Sequence, residues 1–190
     1  MNRIETLTKL VRERYEAKDP NRADWADWLY ENHVFVVAEK ARAIAEEEGA
    51  NSELAEVAGM LHDIADASMS RFDPDHEAKS LEIARELLEE VGYEASEIAV
   101  VVDDALRFHG CRNGELPQTM EGKVLATADA VAHLTTDFYD FATTALADEG
   151  KTATEIQAWL QPKVERDYHR KIAFPSVRAE CTEAYNKLSV

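Results

Sequence analysis

Apolar residues recur at the three- and four-residue steps of amphipathic helices, and period-two alternation is nowhere sustained. Ile4, Leu7, Leu10 and Val11 open a short first helix. Val34, Val37, Ala41 and Ile44 stripe a second, starting near Pro20 and stopping at Gly49, where glycine suits a left-handed cap. Leu54, Ala58, Leu61 and Ala65 stripe a third. Asp73 and Pro74 read as the N-cap and first position of a fourth, which carries Ala84, Leu87, Leu88 and Val91 and ends at Gly92. Ile98, Val101, Val102, Ala105 and Leu106 make a fifth, ending at Gly110. A loop from Arg112 to Gln118 leads into a long helix from Thr119 to Asp148. Helical segments over Thr152 to Arg170 and Ser176 to Leu188 complete the chain. The expected fold class is all-α, a single-domain helical bundle over 1–190 with about seven to eight helices. Residues from about 150 to 190 form a C-terminal helical extension.

Composition narrows the class. With 190 residues, 45% hydrophobic content, 7 glycines and 5 prolines, the chain can bury its own core, which excludes collagenous, linker-like and disulfide-framework proteins. The longest apolar run, Val34 to Ala38, falls far short of the ~20 residues that span a bilayer, and Met1 to Tyr15 lack a signal-peptide core. Cys111 and Cys181 have no metal-binding spacing and are expected as unpaired thiols of a reducing, cytoplasmic compartment. Twenty-one basic and 38 acidic residues give a net charge of −17, which repels nucleic acid and anionic lipid. Neither a stable nucleic-acid partner nor a membrane is expected. A small anionic substrate stays compatible, because a metal ion or a few local cations reverse the field inside a pocket.

Candidate chemistry lies beside the helical stripes. His33 is four residues before Val37, His62 four after Ala58, and Asp129 four after Leu125, so each lies on or next to an apolar face. An ionised aspartate there costs several kcal/mol unless it is paired or coordinates a metal. Two histidines and two aspartates (His62 is followed by Asp63) from three helices would make a mixed nitrogen–oxygen site for a divalent ion. By spacing alone, each residue has a structural alternative: a hydrogen-bonded core histidine, or an aspartate in a cap or ion pair.

Three segments carry a resemblance. These are His33-Val34-Phe35-Val36-Val37-Ala38, Gly59-Met60-Leu61-His62-Asp63-Ile64-Ala65-Asp66 and Ala126-Thr127-Ala128-Asp129-Ala130-Val131. Together they resemble the HD-domain superfamily of metal-dependent phosphohydrolases, in the order H…HD…D, over a core of residues 25 to 145. The resemblance implies His33, His62, Asp63 and Asp129 as ligands of one divalent ion, with Mn, Fe, Co, Ni, Zn and Mg not distinguished. It implies attack on phosphorus by a metal-activated water. Asp66 would orient that water or protonate the leaving group, its alternative being a solvated carboxylate. His76 and His109 match extra histidines of two-metal members, but Gly110 stands where such members have a second adjacent histidine. His76 and His109 are therefore expected to hold phosphate or supply an acid, with a second metal as the alternative.

His133, four residues after Asp129, is expected in a supporting or packing role. Lys163, Arg166, Arg170 and Lys171, interleaved with acids around His169, read as a solvated helix face, with contact to a substrate's distal phosphate as the alternative. Of Arg71, Lys79, Arg107, Arg112 and Lys123, one or two are expected to line the site. Trp25, Trp28 and Trp159 suit core or subunit contacts, so a homo-oligomer is possible. The leading expectation is a standalone phosphohydrolase acting on a small phosphorylated substrate, a nucleotide first. The alternatives are an inactive nucleotide- or partner-binding protein of the same fold and a di-iron oxygenase.

Overall fold

The computed structural model describes residues 2–189 and is all-helical over them. Ten continuous helices form. They are α1 (Arg3–Glu16), α2 (26–48), α3 (Ser52–Leu61), α4 (His76–Glu90), α5 (95–106), α6 (Met120–Thr135), α7 (Phe138–Asp148), α8 (153–171), α9 (Pro175–Glu180) and α10 (Thr182–Leu188), with a 3₁₀ turn at Ile64–Ala67. The count exceeds the expected seven to eight because two expected helices are each broken in two. Thr119 to Asp148 divides at Thr136, whose backbone is extended (φ −117°, ψ −175°). The hydroxyls of Thr135 and Thr136 donate to the carbonyls of Val131 and Ala132, both at 2.7 Å, a local bonding option that weakens helix propagation. The last segment divides at Cys181.

Local signals explain most helix ends. Asn2 and Glu5 form a capping box on α1, and Thr152 and Glu155 form another on α8. Gly49 closes α2 at φ +73°. Helix α4 begins at His76 instead of Pro74, because Asp73 first closes a turn: its carboxylate accepts from the Asp75 N–H at 2.9 Å. Helix α3 ends at Leu61 rather than running through Ala65, and Asp63 adopts a non-helical backbone (φ −131°, ψ 36°). His62 and Asp63 therefore lie in the exit of a helix, and Asp66 lies in the 3₁₀ turn rather than one α-turn further along.

Helices α2, α3 and α6 pack as the centre of the molecule, around Val37, Ala41, Val57, Ala58, Leu61 and Leu125. Gly59 sets how closely α3 approaches α2, since a Cβ there would lie 2.6 Å from Ala38 Cα and 2.8 Å from Ala38 N. The C-terminal α8 is fastened to the start of α2 by an aromatic cluster in which Trp25 meets Trp159 edge-on at 6.4 Å and Phe141 at 5.6 Å. Trp28 stacks on Phe141 at 4.1 Å. This anchoring brings α8 back over the central helices. Both cysteines are free and buried, as expected of unpaired thiols. No helix among the described residues is long and apolar enough to cross a membrane.

Gly59→Ala is expected to force α2 and α3 apart and to destabilise the protein by about 1–3 kcal/mol. Denaturant unfolding measures this; an unchanged midpoint would show that the helices move apart freely.

Candidate metal centre

Three buried side chains from three central helices converge. His33 comes from α2, His62 from the residue that caps α3, and Asp129 from the middle of α6. One potential ligand atom from each lies within 4.8 Å of the others. His33 Nε2 is 3.2 Å, and His62 Nε2 3.9 Å, from Asp129 Oδ1. His33 sits in a π-helical stretch, Tyr30–Val34, where a wider turn changes the direction of the side chains that follow.

The donor set fits a divalent cation. His62 Nδ1 lies 2.8 Å from the Gly59 carbonyl, so this nitrogen donates and the lone pair of Nε2 faces inward. That Nε2 and Asp129 Oδ1 are buried without a hydrogen-bond partner among the described residues. Unsatisfied buried acceptors are costly, and an ion between them would satisfy both. Burial pushes His33 down, so the imidazole is neutral and able to ligate. Burial alone would raise Asp129, but His133, Lys171, His33 and His62 together hold it well below the usual carboxylate range.

Asp63 borders this group without joining it. Its Oδ2 is 3.8 Å from His62 Nε2 and accepts a 2.8 Å bond from Arg71 Nη2. The same Arg71 nitrogen contacts Asp66 Oδ2. Against the cost of burial, Arg71 and then His62 and His109 hold the Asp63 carboxyl well below its ordinary range. Asp66 is 1% exposed, unlike the solvated carboxylate that was its alternative. Its Oδ1 lies 2.8 Å from His76 Nε2. His76, at the first residue of α4, thus faces Asp66 as well as the cleft. His109 falls in the turn just beyond α5, with Nδ1 2.6 Å from the Leu106 carbonyl and its ring 5.6 Å from that of His62. Burial lowers His109 to about 4, so it is neutral at physiological pH.

A buried charge network that the sequence reading did not assemble lies behind Asp129. Lys171 Nζ bonds Asp129 Oδ2. His133 Nε2 is 3.2 Å from Asp129 Oδ1, and its ring stacks on His33 at 5.0 Å. His133 Nδ1 is 2.9 Å from Asp167 Oδ2, which also receives Lys163 at 3.4 Å and the Tyr139 hydroxyl at 2.5 Å. Asp167 is fully buried and Lys171 is 3% exposed, so the expectation of a solvated face fails for these two. The spacing Lys163, Asp167, Lys171 places all three on one face of a helix, a charged stripe pointing inward. Trp159 and Val164 on the same helix supplied the signal that α8 docks on the core.

A cleft of about 440 Å³ opens over the cluster, the size of a small-molecule site. His62, Asp63, His76, His109 and Asp129 line it, with Arg71, Arg107, Arg112, Lys163, Arg166 and Lys171. Arg71, Arg107 and Arg112 are thus the flanking cations that reach it, whereas Lys79 and Lys123 are not among its lining residues.

Residues 30–134 match the family model of the HD domain. The chain is similar in structure to a predicted HD superfamily hydrolase from an uncultured Thermotogales bacterium, with a TM-score of 0.61 and 22% identity. The match covers 98% of this chain and 87% of that one, so the likeness in fold includes α8 to α10. No curated protein matches the chain.

Burial lowers His76, but the bond it donates to Asp66 and the charge of Asp63 outweigh it and raise its pKa. The Asp66–His76 pair therefore adds stability that is fully present below about pH 6.5 and is lost as pH rises through the raised value. NMR titration of the chelated protein should place His76 above free histidine and find it lower in Asp66→Asn than in the parent. An unchanged midpoint would remove Asp66 as the cause.

Proposed function

The chain belongs to the HD-domain family, and on that premise we propose that it is a metal-dependent phosphohydrolase. It cleaves a phosphoester or phosphoanhydride bond of a small phosphorylated substrate, a nucleotide in the first instance. The observation that carries this reading is the pair of buried, unpartnered acceptors, His62 Nε2 and Asp129 Oδ1, beside His33 and beneath a cation-lined cleft. His33, His62 and Asp129 would hold one divalent ion, and Asp63, which borders them with Oδ2 bonded by Arg71, would complete the set through its other oxygen. When bound, such an ion polarises a phosphoryl oxygen and makes a nucleophile available near neutral pH.

The chain's own groups supply the rest. Arg71 orients Asp63 through the 2.8 Å bond to Oδ2. Asp66 holds His76 by Nε2, which leaves His76 Nδ1, unpartnered among the described residues, to donate a proton to a leaving-group oxygen. His109, neutral and bonded through Nδ1, presents Nε2 as an acceptor for a proton. Arg107 and Arg112 line the cleft as partners for phosphate oxygens. Phe108, half-buried in the same lining, offers a face to a nucleobase and supports the nucleotide reading.

Chelator-stripped protein is expected to release phosphate or pyrophosphate from a mono- or triphosphate nucleotide only after manganese, cobalt or magnesium is added back. Asp129→Asn should lower that release by about 100-fold or more, since losses one shell further out already cost 10–100-fold. Silence across metals and substrates, with no metal retained, would sink the reading.

Metal analysis after loading should find one ion per chain, because Arg71 already occupies the Asp63 oxygen on the side toward Asp66. Two ions per chain would mean that Arg71 yields to a second cation.

A further inference from the structure

Among the cations of α8, two are already committed. Lys171 is spent on Asp129 and Asp167, and Lys163 on Asp167. Arg166 lies on the same helix and has no ion-pair or hydrogen-bond partner among the described residues. Its Nε is buried without an acceptor. A half-buried guanidinium with no acceptor forgoes bonds worth about 1.5–3 kcal/mol each, an arrangement that suits a group waiting for a charged ligand.

Arg166 stands where two cavities meet. It lines the cleft over the histidine–aspartate cluster and also a neighbouring open groove; Cys111, Arg112 and Asn113 line both as well. The groove adds Arg170 and His169, with Glu165 as its one carboxylate. Glu165 already accepts a 2.7 Å bond from the Tyr185 hydroxyl. In a chain of net charge −17, a groove with three arginines and one engaged carboxylate is a local reversal of sign, with Arg112 Nη1 at 4.0 Å from Glu77 Oε2 as the one ion pair among those arginines in the described residues. Arg112 reaches it by lying across Gly110, where a Cβ would come within 3.3 Å of Arg112 Nε.

We propose that Arg166, with Arg112 and Arg170, forms a second anion subsite beside the metal centre, which binds a phosphoryl group of the substrate other than the one that is cleaved. Preferred substrates then carry at least two phosphoryl groups joined through a bridging atom. The inference rests on the phosphohydrolase reading for its first phosphate; of the subsite, Arg166 and Arg170 lie outside the matched residues 30–134 and Arg112 within them. A planar guanidinium suits two oxygens of one phosphoryl group, which a lysine does not reproduce.

The test is calorimetric binding of orthophosphate and of methylenediphosphonate, a diphosphate mimic that resists hydrolysis, to the metal-loaded full chain. The diphosphonate is expected to bind about tenfold or more tightly than orthophosphate. Arg166→Gln should bring the two affinities together while orthophosphate affinity and metal content stay as in the parent. Arg166→Lys should recover part of the difference, and Lys151→Gln, the same charge change at an exposed residue, should leave it intact. Equal affinities in the parent, or a preference that survives Arg166→Gln, overturn the subsite. If diphosphonate preference depends on Arg166 but no substrate is hydrolysed, the subsite stands and the hydrolase reading falls. Hydrolysis without the preference gives the opposite result.

Discussion

A carboxylate held in the middle of a buried helix face is the constraint on which the other features depend. Asp129 is 3% exposed and sits between fully buried alanines at positions 128 and 130. An isolated charge there would cost several kcal/mol, and among the described residues only one of its two oxygens has a hydrogen-bond partner. Oδ2 is bonded by Lys171, which arrives from the C-terminal helix α8. Oδ1 faces the nitrogens of His33, His62 and His133. For this to happen α2, α3 and α8 must all meet α6 at one depth. Gly59 permits the close approach of α2 and α3, and the Trp25 cluster returns α8.

The same compensation spreads outward in two layers. On one side Lys171 leads to Asp167, and Asp167 gathers Lys163, His133 and Tyr139. On the other, Arg71 joins Asp63 to Asp66, and Asp66 holds His76. Each buried acid has a basic partner, which accounts for several ionisable groups persisting in a protein interior without a net local charge. Among the described residues the arrangement leaves His62 Nε2 and Asp129 Oδ1 uncommitted beside the cleft, and Asp167 Oδ1 behind it. It also leaves Arg166, at the cleft's outer edge, uncommitted among the described residues.

Backbone irregularities accompany these positions. The π-helical stretches Tyr30–Val34 and Asp167–Lys171 carry His33, Asp167 and Lys171, and Ala99–Leu106 leads directly to His109. Such stretches re-aim side chains without ending a helix, and they concentrate at functional sites. Asp63, just past the end of α3, gains its direction from a backbone that is not helical at all.

Apolar periodicity, capping residues and glycines carried the all-helical class, the register of α1 to α5 and the faces on which His33, His62 and Asp129 lie, because these are properties of neighbours in sequence. The missed breaks at Thr136 and Cys181 and the early end of α3 left no such mark, since threonine, cysteine and histidine are all tolerated inside helices. The H…HD…D order was legible through the resemblance of its three segments to the HD-domain superfamily, since spacing along the stripes left each residue a structural alternative. Only the tertiary structure decided that Asp63 is bound by Arg71 and that Lys171 neutralises Asp129 from 42 positions away. It also decided that Arg166 is left without a partner among the described residues. A lysine or arginine looks the same in sequence whether it faces water, a buried acid or an open pocket, and which of these it meets is set by how distant helices pack.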